Sequence, residues 1–179
     1  MNNFIYETPT KVYFGKDEEL KVGKLVAEYK PKKVLIHYGG KSAKESGLLD
    51  RVKKCLDEEH IAYVELGGVV ANPQLSLVRK GIKLCLDEGV DFVLAVGGGS
   101  VMDSAKDIAN GAANPEVDVW DFSLKKCEPV KTLNKGAILT LAAAGSEMSS
   151  SCVITNSETG QKMGYGSSLN LSLIHISEP

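Results

Sequence analysis

The sequence has no long apolar run and no block of charges of one sign. None of its apolar runs approaches the ~18 residues that span a bilayer, and no basic stretch followed by an apolar one opens the chain. Lysines and glutamates are interspersed and the formal net charge is −2, so we expect no nucleic-acid partner and no membrane partner. These features are typical of a cytoplasmic protein.

Cysteine and histidine are sparse and give no ligand pattern. The four cysteines form no CxxC pair, so we interpret them as reduced, mostly buried thiols rather than a disulfide framework or a zinc site. The three histidines, His37, His60 and His175, show no HxxxH or similar spacing. We therefore expect structural or surface roles for them and no metal site in this chain.

The sequence does contain apolar strands that alternate with amphipathic helices. Strands are predicted over 10–15, 33–37, 62–66, 91–96, 137–141 and 152–155, and helices over 17–29, 46–59, 75–88 and 101–113. Asp17 is the expected cap of the first helix, and the third is expected to turn Leu77, Val78, Ile82 and Leu86 inward. Strands that are apolar on both faces predict an α/β fold, a parallel sheet covered by helices on both faces.

The last residues, GSSLNLSLIHISEP (166–179), do not continue this alternation. We expect residues 1–167 to form the folded domain and 168–179 to be a non-native or disordered tail, such as read-through or an assembly join. The alternative is a frayed natural C-terminus.

The stretch LAVGGGSVMDSAKDIAN (94–110) places Gly97, Gly98, Gly99 and Ser100 between a strand and a helix. Backbone N–H groups and the positive end of a helix converge in such a turn, and missing Cβ atoms let a phosphate reach the backbone. We interpret it as a pyrophosphate cradle in which Ser100 caps the helix and Asp103 accepts loop N–H groups. A plain tight turn is the alternative, since neither GxGxxG nor GxxxxGK[ST] matches.

A second glycine turn, Gly39-Gly40-Lys41-Ser42, follows the second predicted strand. An acidic residue there would bind the 2′-hydroxyl of a dinucleotide ribose. No Asp or Glu lies between Lys32 and Lys44, which favours a 2′-phosphate and hence NADP. A surface turn is the alternative.

A third stretch, ILTLAAAGSEMSSSCVITN (138–156), joins small residues to a cluster of hydroxyl groups. Small residues let a flat ring lie against the backbone, and Thr140 and the serines could bind a carboxamide or a phosphate. A plain serine-rich loop is equally compatible with this stretch.

Together, these stretches resemble the N-terminal half of the iron-containing alcohol dehydrogenases, closest to the butanol dehydrogenase type. The matching segments are KVYFG (11–15), HYGGKSAKESGLLDRV (37–52), NPQLSLVRKGIKLC (72–85), VDFVLAVGGGSVMDSAKDIA (90–109), ILTLAAAGSEMSSSCVITN (138–156) and TGQKMGYGS (159–167). The resemblance implies a Rossmann-like domain followed by a helical domain, with NADP or NAD in the cleft. It also implies iron or another divalent metal and a small alcohol or aldehyde substrate.

The resemblance also implies which residues bind the cofactor. Lys162 would reach the ribose, and Thr140 with Ser149 or Ser151 would flank the nicotinamide. The full set is Gly39, Gly40, Ser42, Gly97, Gly98, Gly99, Ser100, Asp103, Thr140, Ser149, Ser151 and Lys162. Many relatives have Thr where Ala144 stands, so one hydroxyl contact is lost or is supplied by a neighbouring serine.

The family's metal ligands, an Asp and three His on the helical half, have no counterpart here. We therefore expect an N-terminal fragment that is inactive alone, from a parent enzyme that prefers NADPH and for which a homodimer is left open. The catalytic residues and the choice of alcohol would lie outside it. The alternatives are a related polyol dehydrogenase, a dehydroquinate-synthase-like lyase, or a nucleotide-binding module without activity; GSEMSSSCVITN (145–156) favours the alcohol dehydrogenase.

Overall fold

A computed structural model describes residues 8–177, apart from the side chain of Ser42. Its strands are β1 (Lys11–Phe14), β2 (Val34–Tyr38), β3 (Tyr63–Leu66), β4 (Phe92–Gly97), β5 (Asn134–Leu139), β6 (Ser151–Asn156), β7 (Gln161–Gly166) and β8 (Ile174–Ser177). Its α-helices are α1 (Val22–Ala27), α2 (Ser42–Glu45), α3 (Leu48–Glu58), α4 (Leu75–Glu88), α5 (Gly99–Ala113) and α6 (Trp120–Ser123). Short 3₁₀ helices cover Glu18–Lys21, Ser146–Met148 and Ser168–Asn170.

Six strands form one parallel sheet in the order β1-β8-β5-β4-β2-β3. From β2 the chain moves outward to β3, and from β3 it crosses back to β4 and continues to β5. The direction of winding therefore reverses between β2 and β4. Ligands of open α/β sheets bind at such a reversal, outside the carboxyl ends of the strands.

Two apolar cores lie on opposite faces of the sheet, as expected for strands buried on both faces. On one face Leu35, Val93 and Ala95 pack beneath α4 and α5. On the other face Val34, Ile36, Leu94 and Val96 pack beneath α1 and α3, whose Leu49, Val52 and Leu56 are buried. The predicted fold class, a parallel Rossmann-like sheet with helices on both faces, is confirmed.

Most predicted elements are present within a few residues, with three local differences. Helix α2 is not predicted, and Asp17 has a left-handed backbone without a side-chain capping bond. On α4, Leu86 is 49% exposed, and Cys85 is buried instead. The helix begins at Leu75 and turns Leu75, Val78 and Cys85 toward the sheet, so Leu86 lies outside the apolar stripe.

The segment predicted as a strand over 152–155 does not join the main sheet. It belongs to β6, which pairs only with β7 in an antiparallel hairpin. The hairpin packs on α5 through the buried side chains of Cys152 and Ile154. This placement lays the hairpin along α5, the helix that begins at the glycine turn.

Residues 168–177 pack within the fold, contrary to the expectation of a tail without a partner; residues 178 and 179 lie outside the described part of the chain. Strand β8 lies between β1 and β5, and all four of its residues are buried. Among the described residues, neither ring nitrogen of the buried His175 has a hydrogen-bond partner, which native cores generally avoid. That residues 168–179 are not native stays a prediction, and sequencing the DNA past codon 170 tests it.

None of the helices within residues 8–177 has the length and apolar character that crossing a bilayer requires.

Candidate functional site

The two glycine turns lie side by side at the reversal of the sheet. One follows β2 and the other follows β4, and these strands are paired in register from Val34–Phe92 to Tyr38–Val96. Backbone bonds tie each turn to its surroundings: Gly68 N–H donates to Gly39 O at 3.0 Å, and Thr140 N–H donates to Gly97 O at 3.1 Å. The two turns therefore lie at the same edge of the sheet, where the crevice is predicted.

Packing explains two of the three consecutive glycines but not the middle one. A Cβ on Gly97 would lie 2.5 Å from Val101 Cγ2, and one on Gly99 would lie 3.1 Å from Ser146 Oγ. A Cβ on Gly98 would meet only Leu141 Cβ, at 4.0 Å. Gly98 also has an ordinary extended backbone, with φ −91° and ψ −170°, so no left-handed conformation requires glycine there. Neither packing nor backbone conformation therefore explains the open space above Gly98.

Two predicted roles in this turn are wrong. Gly98 is the N-cap of α5, and Ser100 lies inside the first turn, where it does not cap the helix. Asp103 accepts a hydrogen bond from Val153 N–H at 3.2 Å, on β6, instead of binding the N–H groups of the glycine turn. Asp103 points along α5 toward the hairpin, so the N–H groups of the turn remain available to an anion.

A cavity of about 700 Å³ opens beside Gly98 at the carboxyl edge of the sheet. Its walls come from the end of β5, the segment from α2 to α3, and Glu19. The lining includes Ala43, Ser46, Leu48, Arg51 and residues 138–141. Thr140 and Leu141 therefore line the same cavity as Gly98, and Leu141 is 68% exposed.

A buried lysine joins α5 to the hydroxyl-rich loop. Lys106 Nζ donates to the backbone carbonyls of Ser149 at 3.0 Å and Ser151 at 2.6 Å, and lies 3.8 Å from Asp103 Oδ1. Burial lowers the pKa of Lys106, and the charge of Asp103 opposes that shift. The side chains of Ser149 and Ser151 stay outside this contact and bond each other, Oγ to Oγ, at 2.8 Å.

Further along α5, buried polar groups continue the contact with the hairpin. Tyr165 donates to Asp107 Oδ1 at 2.8 Å, and Asn110 Nδ2 donates to the Tyr165 oxygen at 2.7 Å. Burial raises the pKa of Asp107 to about 7, although the bond from Tyr165 lowers it. These residues hold the hairpin at a fixed height against the helix.

Sequence reasoning missed this polar stripe although a signal was present. Asp103, Lys106, Asp107 and Asn110 follow the spacing i, i+3, i+4, i+7, which places them on one side of a helix. Polar residues at that spacing in a helix that is otherwise buried indicate a polar partner on that side.

Lys162 lies on β7 and donates from Nζ to Asn72 Oδ1 at 2.7 Å. Its positive charge is close enough to lower the pKa of Asp103, although burial, the larger effect, raises it. Lys162 thus joins the hairpin to the loop after β3. Asn72, in the loop after β3, was not predicted as a site residue.

In the second turn, neither glycine is required by packing. A Cβ on Gly39 would make ordinary contacts, 3.6 Å from Val69 O and 3.7 Å from Val101 Cγ2, and one on Gly40 would meet nothing within 4 Å. Ser42 is the first residue of α2, and its side chain lies outside the described part of the structure. Lys44 Nζ lies 5.2 Å from the centre of the Tyr38 ring.

Ala144 is an exposed residue beside the first turn, because a Cβ on Gly99 would lie 3.8 Å from Ala144 Cβ. The same Cβ on Gly99 would lie 3.1 Å from Ser146 Oγ. A hydroxyl from a neighbouring segment, that of Ser146, thus lies beside Gly99, and we did not predict Ser146 as a site residue.

Within residues 8–177, no group of three or more His, Cys, Asp and Glu side chains is arranged to hold a metal ion. His37 is buried in β2, where Nδ1 bonds Leu66 O and Nε2 bonds Ser104 Oγ, each at 2.8 Å. His60 is exposed beyond α3. The donors present do not fit a catalytic metal.

We expect acid to destabilise the protein through His37. Burial lowers its pKa to about 4 from 6.5. Between these pH values the His37 imidazole is protonated in the unfolded chain, whereas the buried imidazole of the native protein stays neutral. The free energy of unfolding then falls as the pH falls, by about 3 kcal/mol over the whole interval.

Urea unfolding of wild type and His37→Asn at pH 7 and 4.5 measures this loss. The raised pKa of Asp107 makes the free energy of unfolding rise as the pH falls, and it does so equally in both proteins. The quantity compared is therefore the change in unfolding free energy between pH 7 and 4.5, wild type minus variant. The exposed His60→Asn is the matched control and should keep the wild-type dependence. An equal dependence in His37→Asn would contradict the assignment.

Comparison with known proteins gives consistent matches. Residues 9–179 match the family model described as iron-containing alcohol dehydrogenase. The chain is 48% identical over 181 residues to the probable NADH-dependent butanol dehydrogenase 1 of Bacillus subtilis, covering all of this chain and 46% of that protein. It is 38% identical to the NADPH-dependent aldehyde reductase YqhD of Escherichia coli, covering 93% of this chain and 43% of that protein.

A crystal structure of NADH-dependent butanol dehydrogenase A from Thermotoga maritima superimposes with a TM-score of 0.96 at 40% identity. The alignment covers 100% of this chain and 45% of that structure. The chain thus spans about half the length of the relatives it matches.

Proposed function

Because the chain belongs to the iron-containing alcohol dehydrogenase family, we propose that it is the cofactor-binding part of an NADPH-preferring enzyme. The whole enzyme would interconvert small alcohols and aldehydes. Relatives of this chain are named as butanol dehydrogenases and as an aldehyde reductase, which supports that substrate class.

The observation that carries the proposal is the open space above Gly98. A glycine without a packing or conformational reason, at the N-terminus of a 15-residue helix, fits a phosphate that touches the backbone. The surrounding chain has a further feature that a dinucleotide needs, a cavity of about 700 Å³ that Gly98 itself lines.

We place the adenine half of the cofactor in the cavity and the nicotinamide half near the hairpin. The N–H groups at the start of α5 hold the pyrophosphate, and Lys162 donates to the nicotinamide ribose. Thr140 lines the cavity, so in this arrangement it contacts the adenine half instead of flanking the nicotinamide. Ser149 and Ser151 lie at the hairpin, where they would flank the nicotinamide. The bound nicotinamide supplies the hydride acceptor or donor, and the residues of this chain bind and orient it.

A titration of this chain with NADPH, followed by cofactor fluorescence, tests the binding part of the proposal. Saturable binding at 1:1 stoichiometry, competed by ADP, is the expected result. For turnover, the gene is sequenced past codon 170 and the extended protein is assayed with butanol and butyraldehyde. Absence of NADPH and NADH binding by the folded chain would overturn the proposal.

We expect a divalent metal to be needed only by the extended protein. Chelation should abolish its alcohol oxidation and leave the NADPH affinity of the present chain unchanged, because the described residues hold no ligand set. Metal analysis after dialysis is the direct measurement. Stoichiometric iron or zinc on the present chain would contradict the expectation, and added iron or zinc should restore activity after chelation.

We also propose a cytoplasmic location. All four cysteines are free thiols, in keeping with a reducing compartment. A homodimer of the extended enzyme, which the sequence analysis leaves open, is measured by sedimentation.

A further inference from the structure

Arg51 lies in the first turn of α3, in the wall of the cavity that Gly98 also lines. Among the described residues of that lining, it carries the only positive charge and Glu19 the only negative one. The Arg51 side chain is 43% exposed, whereas the side chain of Glu19 is 7% exposed. The cavity therefore presents one cation that a ligand can reach.

The guanidinium of Arg51 is held on two sides by the protein. Its Nε donates to Glu19 Oε1 at 3.1 Å, and its Nη1 donates to the backbone oxygen of Ser46 at 3.1 Å. These bonds use two of its five N–H groups, so three remain without a partner among residues 8–177. The two partners orient the planar group in advance, which reduces the conformational entropy that the side chain would lose on binding a ligand.

The ion pair with Glu19 leaves the free edge of the guanidinium accessible. Glu19 Oε1 accepts the bond from Nε, and Glu19 Oε2 is buried. A ligand in the cavity would therefore meet the remaining N–H groups of Arg51 and not the carboxylate. Such a group attracts an anion, and a phosphate above all, because its oxygens match two parallel N–H bonds.

Three cationic residues follow strand β2 and can be compared as partners of a phosphate: Lys41, Lys44 and Arg51. Lys41 and Lys44 are exposed, and neither is among the described residues that line the cavity. Lys44 Nζ lies instead over the ring of Tyr38, 5.2 Å from its centre. An ammonium group also acts as a point charge, without the planar fork of a guanidinium. Arg51 is therefore the cation best placed to recognise a phosphate in this cavity.

The wall that carries Arg51 continues from the second glycine turn. That turn leads directly into α2, and Ala43 and Ser46 line the cavity together with Arg51. In open α/β sheets that bind dinucleotides, a residue near this position contacts the 2′ substituent of the ribose, and an arginine accommodates a 2′-phosphate. An adenosine in the cavity would thus have the guanidinium on the same wall as the turn.

We propose that Arg51 binds the 2′-phosphate of the NADP adenosine through its free N–H groups and so determines the choice between NADP and NAD. Glu19 and the carbonyl of Ser46 hold the guanidinium in place. The inference rests on the proposed function, because it requires that the adenine half of the cofactor occupies the cavity. It adds an attractive contact to the absence of an acidic residue between Lys32 and Lys44.

Two adenosine ligands that differ only by the 2′-phosphate test the inference on this chain. Calorimetric titration gives the affinities of adenosine 2′,5′-bisphosphate and adenosine 5′-monophosphate for wild type and Arg51→Gln. Glutamine removes the charge but keeps an N–H donor for the carboxylate of Glu19. We expect the bisphosphate affinity to fall about 30-fold in Arg51→Gln, because charge-assisted hydrogen bonds are lost, and the monophosphate affinity to stay unchanged.

Two further variants complete the experiment. Arg51→Lys keeps the charge without the planar fork and should lose about fivefold in bisphosphate affinity, so it carries the test if Arg51→Gln does not fold. Arg79→Gln is the matched control, because the side chain of Arg79 is 44% exposed, pairs with Asp118 and lies outside the described lining of the cavity. It should bind both ligands as wild type does.

The possible results separate the role of Arg51 from the proposed function. An unchanged bisphosphate affinity in the folded Arg51 variants, or an equal loss for both ligands, would overturn the role of Arg51 while the cofactor site stands. A wild type that binds the two ligands equally tightly would overturn that role together with the preference for NADPH. A folded wild type that binds neither adenosine ligand, NADPH nor NADH would overturn the proposed function as well.

Discussion

Gly98→Val should lower the affinity of the chain for NADPH by about 100-fold or more while leaving it folded. Valine would fill the space that phosphate needs, and each charge-assisted hydrogen bond to the backbone is worth about 1.5–3 kcal/mol. The backbone at Gly98 has ordinary extended angles, and a Cβ there meets only Leu141 Cβ at 4.0 Å. Stability should therefore change by no more than about 1 kcal/mol, the usual effect of a poorer N-cap.

The matched control is Ala113→Val, which adds the same side chain at the last residue of α5, away from the turn. NADPH titration gives the affinities, and circular dichroism with urea unfolding gives the stabilities. If Gly98→Val binds NADPH as tightly as wild type, the turn is only a connection between β4 and α5. If both variants lose binding, the helix as a whole is sensitive and the loss is not specific to the turn.

Gly39→Asp should shift cofactor preference from NADPH toward NADH by about 100-fold. The new carboxylate would repel a 2′-phosphate and accept a hydrogen bond from a free 2′-hydroxyl, so the two effects act together. The fold can accept it, because a Cβ on Gly39 makes contacts of 3.6 and 3.7 Å only.

The ratio of NADPH to NADH affinity is measured for wild type and variant, and the ratio of kcat/KM for the extended enzyme. Ser157→Asp, an exposed position in the turn between β6 and β7, controls for the added charge. The names of the relatives indicate different cofactors: NADH for the butanol dehydrogenases at 42–48% identity, and NADPH for the aldehyde reductase at 38%. If the wild type already prefers NADH, or if Gly39→Asp leaves the ratio of NADPH to NADH affinity unchanged, this turn does not recognise the 2′ substituent of the ribose.

The local pattern of the chain was sufficient for the central strands and the long helices. Residues 33–37 and 91–96 are continuous apolar runs between turn residues, and Leu75–Glu88 has helical periodicity bounded by proline and glycine, so each element is specified by its own residues. The glycine turns could also be predicted, because glycine after a buried strand is itself the local signal. The same sequence indicated the family, which the comparisons confirm.

What the local pattern could not give is the identity of contacts between distant segments. Nothing near Asp103 in sequence indicates Val153 N–H as its partner, and nothing near Lys162 indicates Asn72. Strand β6 has the composition of a sheet strand, but only tertiary packing assigns it to a separate hairpin on α5.

Gly97 and Gly98, in a single turn, show the same difference between what the local sequence indicates and what the tertiary structure decides. The sequence presents them as equivalent, yet a Cβ on Gly97 would clash with Val101, whereas one on Gly98 would meet only Leu141 Cβ at 4.0 Å. Which glycine is required by the fold and which is left for a ligand depends on the atoms that surround each Cα in three dimensions. A side chain's neighbours come from segments that are far apart in sequence, and local periodicity carries no information about them.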